Sequence, residues 1–427
     1  MNSIWFYIYN LFFLQLFRIL VYSLSPFDKK IREGIRGRKR LYEDLIINLA
    51  GLDRKKRLVW FHSSSMGEFE QAKPIIEKLR NTYDVNILVT FFSPSGYNNS
   101  LKYPYADIIS YLPLDSIGNA KRFISLVRPS TVIFMRYDFW PNFIWVLKHY
   151  NIPSFIVDAT MKNKSKRKFP IVKQFHTSLF NNFLSILTIS EKDKASFNDF
   201  KIADNILSVV GDTRFDRVYQ KSIDAQKKNL FRAELINNKK IIVLGSTWEA
   251  DEEIVLPVIK KIFEYVDDVL VIIAPHEPTA RRLEDLEYAL RGIKTIRFSY
   301  KNDYADEKII IIDSIGILLT LYYYADIAYV GGSFKQGIHN VLEPAVYGIP
   351  VVFGPKNTNS QEAQKMIELG CGLEINNKTK AYRIFRELLS NEEKRASIGK
   401  ISFEYVQNNI GTTDKIIYEF GRINKKR

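Results

Sequence analysis

An α/β fold of two Rossmann-like domains facing a cleft is predicted from three observations. Short apolar runs alternate with amphipathic segments over residues 57–212, a polar and charged interval fills 217–239, and a second series of apolar runs extends from 240 to 355. Apolar runs of strand length separated by helical patterns form β-α-β units, whose strands lie parallel. In such sheets ligands bind outside the carboxyl ends of the strands, so the loops leaving each run are where function is sought.

The chain opens differently. "IWFYIYNLFFLQLFRILVYSLS", Ile4 to Ser25, is dense in Phe, Leu, Ile and Tyr and is interrupted strongly only by Asn10, Gln15 and Arg18. A spanning helix needs ~20 mostly apolar residues. Residues 1–25 are therefore assigned as a membrane anchor that either spans the bilayer or lies in its plane. No basic stretch precedes the run and no A-x-A-like site follows it, which argues against a cleaved signal peptide. The flank "KKIREGIRGRKR" (29–40) is strongly basic, which puts that side of the membrane, and the body of the protein, in the cytoplasm. An apolar helix packed on a soluble domain is the competing reading.

The first domain is expected over 26–216. Its strands are "RLVWFHS" (57–63), "VNILVTFFS" (85–93), "ADIISYLPL" (106–114), "STVIFMR" (130–136), "IPSFIVDA" (152–159), "FLSILTIS" (183–190) and "ILSVVGD" (206–212). Residues 217–239 contain no strand-like run and are assigned as the linker. The second domain, 240–427, carries "KIIVLGST" (240–247), "VLVIIAP" (269–275), "KIIIIDS" (308–314), "IAYVGGS" (327–333) and "IPVVFGP" (349–355).

Composition bounds the chemistry. At 427 residues and 46% hydrophobic, the chain can bury substantial cores. One cysteine, Cys371, rules out an internal disulfide and suits a reducing compartment. Lysine and arginine number 62 against 47 acids, a formal +15, which favours an anionic partner. Nucleic acid, phosphorylated small molecules and an anionic membrane face all fit that sign. The lysines are dispersed and no recognition motif is evident, so nucleic acid is disfavoured. Five histidines and one cysteine show no metal-ligand spacing, and no metal or other cofactor is expected. No Walker A loop is present, and no G-x-G-x-x-G follows a strand, so ATP hydrolysis and hydride transfer lack support.

Several strand-exit loops carry chemistry. In "WFHSSSMGEFE" (60–70), Glu68 is either an acid in the first turn of a helix over 69–80 or a group that takes a proton during catalysis. Glu70 is close enough to supply the helix's acid by itself. "YVGGSFKQGIHNVLEPAVYGIPVVFGP" (329–355) places Gly331 and Gly332 at a strand end, where backbone can approach a ligand. Asn340 there is expected to cap a helix, with Glu343 reaching back to it and the helix N-terminus attracting phosphate. "GSTWEADEE" (245–253) and "APHEP" (274–278) are further turns of this kind. Ordinary α/β turns would account for each one alone.

Taken in order, "HSSSMGE" (62–68), "DFWPN" (138–142), "GDTRFD" (211–216), "GSTWEADEE", "APHEP", "GGSFKQGIHNVLEP" (331–344) and "FGPKNTN" (353–359) resemble the motifs of the bacterial 3-deoxy-D-manno-octulosonic acid (Kdo) transferases of lipopolysaccharide synthesis. The resemblance covers nearly the whole chain, including the N-terminal apolar segment. It implies a GT-B glycosyltransferase of the inner membrane, with its catalytic domains on the cytoplasmic side, that moves Kdo with inversion from CMP-Kdo to the lipid A precursor (lipid IVA). The family's catalytic base falls on Glu68. Two positions thought to steady the transition state fall on Asp138 and Arg214, where family members often carry Glu and Lys. The CMP contacts map to Pro275 and His276, to Ile315, Gly316 and Ile317, and to Asn340, Val341, Leu342 and Glu343. The basic segment "KNKSKRK" (162–168) suits lipid phosphates and equally a solvated loop. Two readings compete: another membrane-associated GT-B enzyme that uses a UDP-sugar, and a basic, membrane-tethered binding protein without catalysis.

Overall fold

The computed structural model describes Ile4–Asn424 and divides the chain into two α/β units. One comprises the residues up to Arg217 together with those from Ile410 onward; the other is Val218–Asn409.

In the first unit, β1 (Arg57–Ser63), β2 (Val85–Phe91), β3 (Ile108–Tyr111), β4 (Thr131–Met135), β5 (Ser154–Ala159), β6 (Ser185–Thr188) and β7 (Leu207–Val209) form one parallel sheet in the order β3-β2-β1-β4-β5-β6-β7. Both faces are covered, which is why the strands read as continuous apolar runs. Trp60, Leu88, Phe134 and Ile156 pack on one side. Phe61, Val89, Ile133 and Val157 pack on the other.

The second unit repeats the plan. Its strands are β8 (Lys240–Thr247), β9 (Val269–Pro275), β10 (Thr295–Arg297), β11 (Ile309–Ile311), β12 (Ile327–Val330), β13 (Val351–Phe353) and β14 (Gly372–Glu374), in the parallel order β10-β11-β9-β8-β12-β13-β14. Each sheet reverses its strand order beside its first strand, between β1 and β4 in one and between β8 and β12 in the other. Loops diverge at such a point and leave a crevice.

Three features differ from the sequence reading. β10 and β14 were not anticipated; each is three residues long and lies at a sheet edge, too short for an apolar run to show. The segment 217–239 is largely folded: it contains most of helix Thr213–Gln226 and all of Ala233–Ile236, and Phe231 and Leu235 are buried. The second unit closes at Asn409 instead of running to 427. Helix Thr412–Asn424 buries Ile416, Ile417 and Phe420 in the first unit's core, so burial assigns the last helix to that unit.

Helix Ile4–Leu24 is long and apolar enough to cross a membrane by length and composition, a test a signal sequence also passes. It is also tied to the first unit. The Tyr9 hydroxyl donates to Asp115 Oδ2 at 2.8 Å, and the Asn10 amide donates to Asn142 Oδ1 at 3.0 Å. Trp5 meets Phe175, Phe6 meets Trp145, and Phe17 meets Trp140, all edge-on. Leu11, Phe12, Phe13 and Leu16 stay exposed on the other side. Part of the segment thus belongs to the fold, and part of it faces outward.

Burial pushes the Asp115 carboxyl up to about 6. A carboxyl raised in the folded state adds no charge cost below its ordinary range, a cost that grows as pH climbs from that range to the folded value, and a constant cost above it. The Tyr9 donor matters most once Asp115 is ionised. Tyr9→Phe is therefore expected to lose ~1–3 kcal/mol of stability at neutral pH and much less near pH 4. Denaturant unfolding of the detergent-solubilised protein at the two pH values measures this. An equal loss at both would mean that the hydroxyl does not serve the ionised carboxylate.

Candidate active site

The loops after β1 and β4 meet at the first unit's switch point. Strand β1 ends at Ser63, and helix Met66–Thr82 starts three residues on, earlier than the expected 69–80. Ser65 is its N-cap, with a side chain that accepts the Glu68 N–H, so Glu68 is the third residue of the first turn. The Glu68 carboxylate reaches back: Oε2 accepts the Ser64 N–H at 2.6 Å and the Ser65 N–H at 3.3 Å. This is a capping box. The structural role of Glu68 is real, and Glu70 does not share it, being paired with Lys73 and with Arg217.

Capping does not exhaust Glu68. Its side chain is buried, at 8% exposure, and Oε1 makes no hydrogen bond among the described residues. Burial, then the charge of Asp138, raises its pKa above the usual glutamate range. An ordinary first-turn acid is solvated and gains little from a nearby acid. A carboxylate whose proton affinity is raised by its site is suited to accept a proton.

Asp138 follows β4 and gathers donors on Oδ2: His62 Nε2 lies at 3.0 Å, Trp140 Nε1 donates at 3.1 Å, and the Ser64 hydroxyl donates as well. Ser64 therefore bridges the two acids, its N–H on Glu68 and its hydroxyl on Asp138. His62 is fully buried, with Nδ1 at 2.9 Å from the Thr90 hydroxyl.

Arg214 stands at a different exit, after β7, in the first turn of helix Thr213–Gln226. Its guanidinium holds Asp212, with Nε at 3.0 Å from Oδ2. The turn is pinned by Asp158, fully buried at the end of β5, which accepts the Thr213 N–H at 3.2 Å and the Thr213 hydroxyl. Burial, then the charge of Asp212, raises the Asp158 pKa. Asp158 sits at φ 52° and Arg136, just past β4, at φ 60°. Left-handed backbone at non-glycine residues costs of order 1–3 kcal/mol and gathers where side chains must be aimed.

The second unit assembles its own loop cluster. Pro275 ends β9, and the His276 N–H donates to the Thr247 carbonyl at 3.0 Å. The His276 ring stacks on both Trp248 and His339, with centroids 4.6 and 4.5 Å away, and Trp248 Nε1 donates to His339 Nε2 at 3.1 Å. Three exits, of β8, β9 and β12, are thereby joined by stacked rings. Burial, then His276, pushes the His339 pKa down to about 4.

Beneath the stack is Asp251, fully buried. It accepts the Gly332 N–H at 2.8 Å, the Trp248 N–H at 3.0 Å and the Tyr329 hydroxyl at 2.8 Å. Gly331 lies against the Ser246 carbonyl so closely that a Cβ would overlap it, which accounts for glycine there.

The other sequence-predicted contacts lie at the same edge. Gly316, at φ 88°, turns the chain after β11, with Ile315 strongly exposed and Ile317 leading into Leu318–Tyr322. Asn340 Oδ1 accepts the Leu342 N–H at 3.1 Å, and its amide donates to Glu343 Oε1 at 3.2 Å. Glu343 therefore meets the Asn340 side chain, not the cap backbone. The helix behind it, Leu342–Ala345, has only four residues, so the expected macrodipole pull on phosphate has little substance. Val341 and Leu342 are 1% exposed, which leaves only backbone to face a ligand. Sequence reasoning did not assign His62, Thr90, Trp248, Asp251 or His339. The signal available was their position at or beside strand exits, within or next to quoted motifs.

Residues 35–217 match the family described as 3-deoxy-D-manno-octulosonic-acid transferase (kdotransferase). A 3-deoxy-D-manno-octulosonic acid transferase of Rickettsia bellii is 27% identical over 422 residues, covering 96% of this chain and 97% of that protein. The enzyme of the same description from Chlamydophila psittaci is 28% identical over 350 residues, covering 80% and 79%. Among solved structures, the UDP-GlcNAc 2-epimerase of Neisseria meningitidis bound to UDP-GlcNAc superposes with a TM-score of 0.60 at 16% identity, covering 85% of this chain and 98% of that one. That likeness establishes the fold, an α/β GT-B architecture. Over most of its length the chain is thus similar to bacterial 3-deoxy-D-manno-octulosonic acid transferases.

Proposed function

We propose that the protein moves Kdo from CMP-Kdo to a hydroxyl of the lipid A precursor by one inverting displacement, with Glu68 as general base. The observation that carries this reading is a buried carboxylate of raised proton affinity at a switch point, with one oxygen uncommitted. In the step, Glu68 takes the acceptor hydroxyl's proton and the oxygen attacks the sugar's anomeric carbon. The bond to the CMP phosphate breaks, and CMP leaves with the electron pair. No proton need be given to the leaving group, because a phosphate leaves as an anion. Positive potential from Arg214 offsets charge that builds on the donor, and Asp138 steadies the sugar as it gains positive character.

The donor's CMP is assigned to the second unit, at Pro275 and His276, the turn Ile315–Gly316–Ile317, and Asn340, Val341, Leu342 and Glu343. The stack of Trp248, His276 and His339 gives that loop cluster a fixed shape. The helix Ile4–Leu24 is assigned to the inner membrane, with the basic stretch 29–40 on the cytoplasmic side. Similarity to the bacterial Kdo transferases supports these assignments.

Glutamine at position 68 can still accept an N–H but cannot take a proton. Glu68→Gln should keep the fold and the affinity for CMP-Kdo while transfer falls at least ~100-fold, the low end for loss of a general base. Mass spectrometry of the lipid product gives the rate; transfer near wild type would reduce Glu68 to a cap. The raised Glu68 pKa also fixes a sign. Catalysis should be lost as pH falls through a value above the ordinary glutamate range, and a rate flat down to pH 4 would contradict it.

CMP, and not UDP, should raise the thermal unfolding temperature; protection by UDP alone would favour a UDP-sugar donor. Glu343→Ala should weaken CMP-Kdo binding by ~1.5–3 kcal/mol if the carboxylate bonds the ribose. A lower melting temperature with unchanged affinity would leave it a structural partner of Asn340.

A further inference from the structure

We propose that His62 is a positioning residue: held as its neutral Nε2–H tautomer by a one-way hydrogen-bond chain from Trp60 through Thr90, it holds the Asp138 side chain in place beside Glu68. This rests on the reading of Glu68 as the base.

The direction of the chain follows from donor and acceptor capacity. Trp60 and His62 are two apart on β1 and point to the same face, and Thr90 of β2 is the register partner of His62. All three are fully buried. Indole nitrogen can only donate, and Trp60 Nε1 donates to Thr90 Oγ1 at 2.8 Å. The hydroxyl has one hydrogen to give onward. Two acceptors are in reach: His62 Nδ1 at 2.9 Å and the Phe61 carbonyl at 3.5 Å. The shorter bond takes the hydrogen, so Nδ1 accepts and the ring's own proton sits on Nε2, which donates to Asp138 Oδ2 at 3.0 Å.

The opposite tautomer would aim two donors at Thr90 and turn a nitrogen lone pair toward a carboxylate oxygen. An imidazolium would send the Thr90 hydrogen to the longer 3.5 Å contact. With the chain as described, Asp138 Oδ2 collects three donors, from His62, Ser64 and Trp140, which fix its orientation.

The effect on Glu68 is electrostatic. The charge of Asp138 disfavours ionisation of Glu68, so holding Asp138 in place keeps Glu68 a stronger base. The other titratable or charged groups facing this pair are His62 itself and Arg167, whose guanidinium feels Asp138 and bonds the Tyr137 carbonyl. Without the His62 donor, Asp138 is no longer held against Glu68, and Glu68 loses part of the charge that raises its proton affinity. The acid limb of the rate profile should then move to lower pH.

The test uses the full-length protein in detergent. With only five histidines, ¹⁵N-histidine spectra of wild type minus His62→Gln identify the His62 signal. The expected result at neutral pH is a protonated Nε2 and an accepting Nδ1. A proton on Nδ1, or on both nitrogens, overturns the proposal whatever the activity. His62→Leu should lower kcat about 10–100-fold, as loss of an orienting outer-shell partner does, with KM for CMP-Kdo little changed and the acid limb moved down. His62→Gln, whose amide reaches the Nε2 position, should recover most of the rate, and Thr90→Ser should preserve the tautomer that Thr90→Val loses. A uniform loss in both His62 variants, with no shift of the limb, makes His62 merely structural and also overturns the proposal. If instead Glu68→Gln stays active, the base assignment fails, while the tautomer is still read from the spectra alone.

Discussion

Parallel strands end together at one edge of their sheet, and the backbone N–H groups just beyond that edge have no strand left to pair with. Buried carboxylates meet much of that demand here. Glu68 takes two N–H groups past β1, Asp158 takes one past β7, and Asp251 takes two from the loops beyond β8 and β12. Burying a carboxylate is costly unless donors converge on it, and converging donors in turn fix the loop that carries them. Each loop is thus held by an acid whose removal would free one or two backbone groups at once. Stability and site geometry share the same atoms, so selection on one constrains the other.

The same edge holds local distortions. Strand β5 slips register between Ile156 and Ala159, and β8 slips between Gly245 and Thr247. In each slip one non-glycine residue, Asp158 or Ser246, takes a left-handed conformation. A bulge re-aims the side chain that follows the pleat, and here it turns the Asp158 carboxylate onto Thr213. The cost sits in the backbone and the return in the placement of Arg214, one residue on.

The fold was legible because a doubly covered parallel sheet writes itself as apolar runs: the spans 57–63, 240–247 and 269–275 coincide with β1, β8 and β9. What failed did so for physical reasons. β10 and β14 bury too little to leave a pattern. Helix Thr412–Asn424 is amphipathic wherever it packs, so its pattern cannot name the sheet it covers. At the site, the motif around Glu68 located the acid but not its double use, because a capping box and a catalytic carboxylate need the same spacing. The links through Thr90 and Asp138 were beyond reach, since register across strands decides which polar groups meet.

Helix Ile4–Leu24 is not uniform: Tyr9–Phe13 form a π turn between two α-helical stretches. Counting back from the buried Leu14 at α-helical spacing, the inward stripe should take in Asn10, Leu11 and Tyr7, yet Leu11 and Tyr7 are 64% and 53% exposed. Phe6 and Tyr9 share that face with Asn10 instead. One residue held in the wide turn has advanced the helical phase of everything before it. A straight α-helix of the same sequence would aim Tyr9 away from Asp115 and set Leu11 against the protein. The irregularity lets a single apolar rod be a latch over one half of its length and an outward-facing greasy surface over the other, and a one-residue deletion inside it would exchange the two.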